Sequence, residues 1–172
     1  IIDLVGDEAI FSTLSLAIES VPSLRHPVRQ RLDELELAPD SYVVVGGAVL
    51  ALLHLRDTTD IDLVVNDEVY QRYRDEQQWK EFAAENGRRV LSRYGFNLQH
   101  SWHGTSFKRL RRDAWKHDGI PCVSIDALIA NKRQTGRRKD LTDITLISQY
   151  RQTHRDAGAK KSAKTPAADR QP

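Results

Sequence analysis

Asp60 and Asp62, separated by one isoleucine, carry the strongest chemical signal in the chain. Alternate side chains of a strand share a face. A strand here would set both carboxylates on one side, roughly 6–7 Å apart, with Ile61 and Leu63 toward the core. Two such carboxylates repel each other and are costly to bury without a cation. Hard divalent ions such as Mg²⁺ or Mn²⁺ take oxygen ligands and often keep positions open for substrate phosphates. Upstream lies Gly46-Gly47, the only adjacent glycine pair in the chain. At a helix start, unpaired N–H groups and the positive dipole end favour an anion, and glycine lets a phosphate approach the backbone. A phosphate cradle followed by a metal-binding carboxylate pair is equipment for phosphoryl or nucleotidyl transfer. A lone DxD or a lone GG is common in ordinary loops. Their succession here is more specific.

Three elements must position these groups. Tyr42–Val45 is a short β-branched run that reads as a buried strand. Ala48–Leu55 is apolar and rich in helix formers, so a short buried helix follows the glycines. Arg56–Thr59 turns the chain, and Asp60–Val65 is the second strand.

The stretch GGAVLALLHLRDTTDID resembles the first motif of the nucleotidyltransferase superfamily with the DNA polymerase β-like fold. Its GG, then Arg, then T-x-D-I-D is similar to the AbiEii-like branch, including the MenA toxins of toxin–antitoxin pairs. A second match, IDALIANKRQTGRRKDLTDITLI from Ile125 to Ile147, carries a helix with Lys132, then Arg137, Lys139, Asp140 and Asp143. Relatives often have a Gly in the short helix where this chain has Leu53-His54-Leu55, which bears on nucleotide preference.

The resemblance implies an α+β (two-layer) fold: a small mixed sheet flanked by helices, with C-terminal helices. It implies catalytic roles for Asp60, Asp62, Lys132, Asp140 and Asp143, with Asp60 and Asp62 holding Mg²⁺ or Mn²⁺. Gly46, Gly47, Arg56, Thr58, Thr59 and Lys139 would bind a nucleoside triphosphate as co-substrate. The third carboxylate of such enzymes falls to Asp140 or Asp143, and less readily to Asp118. Thr58 and Thr59 form a turn, where a hydroxyl could contact phosphate or itself be modified, setting negative charge beside the carboxylates. The expected activity is nucleotide transfer to an RNA 3′ hydroxyl, the acceptor end of tRNA above all, by a toxin with a cognate antitoxin as partner. The alternatives are transfer to a protein or small molecule, as by an AMP-transferring antitoxin or a drug-modifying enzyme, and a non-catalytic nucleotide-binding member. Two intact carboxylates argue against the last.

At 172 residues, 40% hydrophobic and 29% charged, the chain suffices for one domain with its own core. That domain is expected over residues 1–150, with its core at 41–147 and a basic flexible tail at 151–172. The net charge is +2, but the tail holds six Lys/Arg against two Asp, which leaves the body at −2. Within the body, Lys108–Lys116 and Lys132–Lys139 are locally basic, as polyanion contacts or as ordinary solvated faces. Cys122 stands alone, which excludes an intrachain disulfide and suits a reducing compartment. No run approaches a membrane span and no signal peptide is visible, so a cytoplasmic protein without membrane contact is expected. The chain opens on Ile1 and has no Met, so residues ahead of Ile1, and a targeting segment among them, would be out of view.

Helical spacing is present over Asp7–Ser20 and Pro27–Leu37, with a surface His26 between them. Asp67–Arg74 starts with two acids, and Glu76–Tyr94 continues as a helix that Gly87 could break. Phe96–Trp102 and Thr105–Leu110 alternate as strands, with a turn at His100–Gly104. Those two histidines lack further zinc ligands at suitable spacing. Trp102 and Trp115, beside basic residues, either stack on bases or pack into the core. His117-Asp118-Gly119 predicts a turn, and Ile120–Ile125 an edge strand because of Pro121. Asp126 is placed to cap a helix over Ala127–Gln134 ending at Gly136. A last helix, Lys139 to about Gln149, puts Asp140 and Asp143 on one face. Lys–Asp pairs at helix ends are ordinarily solvated bridges of little worth. The motif resemblance is what makes these four residues site candidates.

Overall fold

The computed structural model describes residues 27–84 and 86–162. The expected helix at Asp7–Ser20, the lead-in at Ile1–Val5, His26 and the last ten residues lie outside these. The central strand β1 (Tyr42–Val45) is buried at all four positions, as its unbroken β-branched run requires. Antiparallel to it runs β2 (Ile61–Val65), with Val45 opposite Asp62. Between them sits the short helix α2 (Gly47–Leu52). It stops before the expected Leu55 because Leu53 closes the helix and His54 takes a positive φ of 56°.

Around this pair a seven-stranded mixed sheet is ordered β3-β4-β5-β2-β1-β9-β8. Its other strands are β3 (Lys80–Ala83), β4 (Arg89–Arg93), β5 (Phe96–Gln99), β8 (Trp115–His117) and β9 (Ile120–Cys122). A small hairpin, β6 (Ser101–Trp102) with β7 (Thr105–Ser106), stands apart from it. The remaining helices are α1 (Pro27–Asp33), α3 (Asp67–Arg74), α4 (Phe107–Asp113), α5 (Ile125–Thr135) and α6 (Arg138–Ser162). The fold is mixed α+β, compatible with a two-layer arrangement. Val43, Val44, Leu63, Leu91 and Leu98 of the sheet join Leu50, Leu128 and Ile147 of the helices in a fully buried core. Burying each such side chain contributes roughly 1.5–3 kcal/mol, and the two site-bearing strands share in this core.

Several local expectations give way to longer-range pairing. Glu76–Tyr94 is not a helix but the hairpin β3–β4, with Ala83 opposite Arg89. Asn86-Gly87 makes its turn: Gly87 has φ 76° and Asn86 Oδ1 accepts from the Arg88 N–H at 3.1 Å. Pairing of β4 with β5 gives Leu91 a fully buried place that a surface helix would not offer. Thr105–Leu110 is a strand for two residues only, then becomes α4, and the turn before it is His103-Gly104 rather than one starting at His100. Pro121 does not mark an edge, because β9 lies between β1 and β8. Its missing donor is tolerated since the two-residue turn makes His117–Ile120 the bonded pair and leaves Lys116–Pro121 unbonded. The cap of α5 is Ser124, whose Oγ accepts from the Ala127 N–H at 3.2 Å, while Asp126 lies in the first turn. The final helix runs to Ser162, well past Gln149 and into the expected tail, since the Ala, Arg, Lys and Gln that made the segment read as uncompacted are also good helix formers.

Candidate active site

The register of the sheet assembles the site. Because Val45 lies opposite Asp62, the chain leaves β1 at Gly46 directly beside the Asp62 carboxylate. A Cβ on Gly46 would sit 3.2 Å from Asp62 Oδ2, and its φ of +66° already disfavours any other residue. A Cβ on Gly47 would meet Arg56 Nη2 at 3.0 Å and Thr58 Oγ1 at 3.4 Å. The glycine pair thus lets a carboxylate and a guanidinium close on the backbone together. From the other side, Asn97 of β5 is in register with Asp62 and donates from Nδ2 to Oδ1 at 3.0 Å.

These residues line one open cleft of about 530 Å³. Nine of the eleven residues expected at the site face it: Gly46, Gly47, Arg56, Thr58, Thr59, Asp60, Asp62, Lys132 and Lys139. The first seven come from the loops around α2 and β2, and the two lysines from the α5–α6 hairpin, far away in sequence. Gly136 makes that hairpin possible, closing α5 in the left-handed conformation with its N–H bonded to the Lys132 carbonyl at 2.9 Å.

Asp140 and Asp143 stand elsewhere. They are 0% and 1% exposed and lie behind the cleft as counter-ions. Asp143 receives a two-pronged contact from Arg56, Nε at 2.6 Å and Nη2 at 2.9 Å, across 87 positions of sequence. Lys132 Nζ, itself buried, donates to Asp143 at 2.5 Å and to Asp140 at 3.3 Å. Arg137 donates from Nε to Asp140 at 2.7 Å. The network sets three cations against two carboxylates and presents its surplus positive charge to the cleft. Hydrogen bonding from Arg137, and then from Lys132, lowers the Asp140 pKa to about 2 despite burial. For Asp143 burial is the larger single influence and acts upward, but the bonds from Arg56 and Lys132 together hold it below the ordinary value. Both bond cations and neither lines the cleft, whereas the expectation placed one of them there as a third metal-binding carboxylate. Asp118 is no substitute, since it sits in the β8–β9 turn with its carbonyl bonded by Arg29.

Asp62 behaves oppositely. Burial raises its pKa, and Asp60 adds to the rise, while the Asn97 bond, Arg88 and Lys139 only moderate it. A carboxylate held this way, with a second one beside it and, among the described residues, no cation bonded to either, has the donor chemistry for a hard divalent ion. Among the described residues no group of three or more His, Cys, Asp or Glu suited to a metal is formed, so Asp60 and Asp62 would leave most of an ion's ligand positions to water and substrate.

The cleft also holds residues to which no site role was expected: Asp57, Arg88, Gln99, His103, Asn131 and Arg137. Asp57 lies within the first motif and Asn131 and Arg137 within the second, but nothing local marks the others. Partial burial, followed by Arg88 and Arg137, pushes His103 below its usual pKa. Trp102, only 7% exposed, reaches the cleft from the β6–β7 hairpin, whereas Trp115 is tied by its Nε1 to the Val123 carbonyl at 3.0 Å. His100 is paired with Asp67 at 3.0 Å, so the two histidines do not converge. No helix of the described residues is long and apolar enough to cross a membrane.

Neither protein-family models, curated proteins nor solved structures give a match to this chain. What speaks for a function is the cleft itself and the motifs that build it.

Proposed function

We propose that this protein is a metal-dependent nucleotidyltransferase of the polymerase β-like superfamily, moving a nucleotide from a nucleoside triphosphate to an RNA 3′ hydroxyl. The observation that carries the reading is the convergence of two distant motifs on one cleft. Paired carboxylates and the glycine turn form one part of its lining, and Arg56, Lys132, Arg137 and Lys139 another. A divalent cation held by Asp60 and Asp62 would supply Lewis-acid activation of the α-phosphate. The cations of the cleft would hold the triphosphate and neutralise the charge that develops on departing pyrophosphate. In the reaction the RNA 3′ oxygen bonds to the α-phosphorus, the bond to the bridging oxygen breaks, and pyrophosphate leaves with that electron pair. Asp57 and His103, both lining the cleft, are able to accept the hydroxyl proton.

An RNA acceptor is favoured by basic side chains exposed on α4, Lys108, Arg109 and Arg112, of which Arg109 lines a hollow with Trp102 and His103. A small cationic acceptor would want an acidic pocket instead. Toxicity and neutralisation by a cognate antitoxin extend this proposal on the motif resemblance alone. The test incubates the protein with Mg²⁺, total tRNA and each α-labelled nucleoside triphosphate, beside an Asp60→Ala/Asp62→Ala control. Label on tRNA that the control lacks supports the reading. Label on protein redirects it to the AMP-transferring alternative, and bound nucleotide without any transfer removes the enzyme reading.

A further inference from the structure

A second hollow of about 370 Å³ adjoins the cleft and shares Trp102, His103 and Asn131 with it. One face of α5 lines it, because Ala127, Ala130 and Asn131 recur at i, i+3 and i+4. Leu110 of α4, Val123 and Trp102, all buried, add apolar surface to the same lining. The contrast with the cleft is chemical: charged groups dominate there, whereas here Leu110, Val123, Ala127, Ala130 and one buried indole share the lining with Arg109, Asp113 and neutral polar side chains. Two amides near the junction have a fully buried atom without a hydrogen-bond partner among the described residues, Asn131 Nδ2 and Gln99 Oε1. Gln99 is only 3% exposed and lines the cleft, while Asn131 lines both spaces. Leaving such an atom unpaired costs about 1–3 kcal/mol, so a donor and an acceptor stand ready for a ligand.

A ligand that spans both spaces has a polyanionic end and a flat apolar end with a hydrogen-bonding edge. We propose that the hollow is a nucleobase subsite, in which Asn131 Nδ2 donates to a ring carbonyl or ring nitrogen and Trp102 and Leu110 cover the ring. Gln99 Oε1 accepts an N–H or O–H from the same nucleoside. Asn131 is then a residue that sets base preference. This assignment rests on the nucleotide-transfer reading above, and it holds whether the base belongs to the nucleoside triphosphate or to the 3′ end of the acceptor RNA.

The experiment measures Mg²⁺-dependent binding of the four ribonucleoside triphosphates, of tripolyphosphate and of short single-stranded RNAs ending in each nucleoside. Wild type is compared with Asn131→Ala and with Ala130→Trp, which fills the hollow, each shown folded by its melting curve. The expected result is a loss of about tenfold or more for the preferred triphosphate, with preference among the four flattened and tripolyphosphate binding unchanged. If the triphosphates are unaffected but RNA binding weakens and loses its dependence on the terminal nucleoside, the base is the acceptor's and the subsite stands. Unchanged binding of all triphosphates and RNAs in both folded variants overturns the subsite alone. Wild type that binds neither tripolyphosphate nor any triphosphate overturns the transfer reading, and the subsite with it.

Discussion

Asp62 is the residue on which the chemistry turns. Its folded-state pKa is raised, so the metal-free protein gains stability from the protonated form as pH falls, and a bound cation must displace that proton. The expected outcome is a melting-temperature rise with Mn²⁺ or Mg²⁺ that is full near pH 7.5, shrinks as pH is lowered into the titration range of Asp62, and vanishes in Asp62→Asn. A metal effect that persists in that variant would place the ion elsewhere. Nucleotide transfer should fall at least about a hundredfold in Asp62→Ala, as when a transition-state electrostatic partner is removed. Gly46→Ala tests the same point from the backbone. With φ +66° and only 3.2 Å to Asp62 Oδ2, it should cost about 1–3 kcal/mol in denaturant unfolding and blunt the metal response.

The α5–α6 hairpin brings the second set of charges, and its stability depends on ion pairs in which Lys132, Asp140 and Asp143 are buried while Arg56 and Arg137 reach solvent. Removing one partner strands the others, so Asp143→Ala should destabilise by roughly 3–5 kcal/mol, far more than a surface bridge would. Asp140 and Asp143 have lowered pKa values, so the stability they confer is complete above the ordinary carboxylate value. It disappears as pH falls through the folded-state values, about 2 for Asp140. An acid titration followed by circular dichroism should therefore show wild type unfolding between about pH 4 and pH 2. In Asp140→Asn part of that acid-dependent destabilisation should already be present at neutral pH. An unchanged acid profile would mean that the network adds nothing to the fold.

For the molecule as a whole, the distribution of charge matters more than its small net value of +2. Of the exposed basic side chains on α4, Arg109 lines the second hollow, while the carboxylates of the network are hidden behind the cleft. RNA affinity should fall steeply with salt. Lys108→Glu with Arg112→Glu should flatten the slope of log K against log salt by about one for each phosphate these side chains neutralise. If the slope is shallow in wild type, those residues are only a solvated face.

What neighbouring residues settle among themselves was legible in the sequence. The β-branched run of β1, the glycine turn, the strand that carries Asp62 (though it starts at Ile61, leaving Asp60 just outside), the Asp118-Gly119 turn and the Gly136 stop are each set by local backbone preference. Nine of the eleven residues that the motifs name line one cleft. Distant partners settled the rest, and only the folded chain reveals them. Glu76–Tyr94 is a hairpin because β4 has β5 to pair with, and Pro121 sits inside a sheet because β1 lies beyond it. Asp140 and Asp143 became buried counter-ions because Arg56, 87 positions from Asp143, reaches across to Asp143, and Lys132 bonds both. A carboxylate's role depends on whether it meets a cation or an empty cleft. Burial and long-range pairing decide that, and local spacing does not record them.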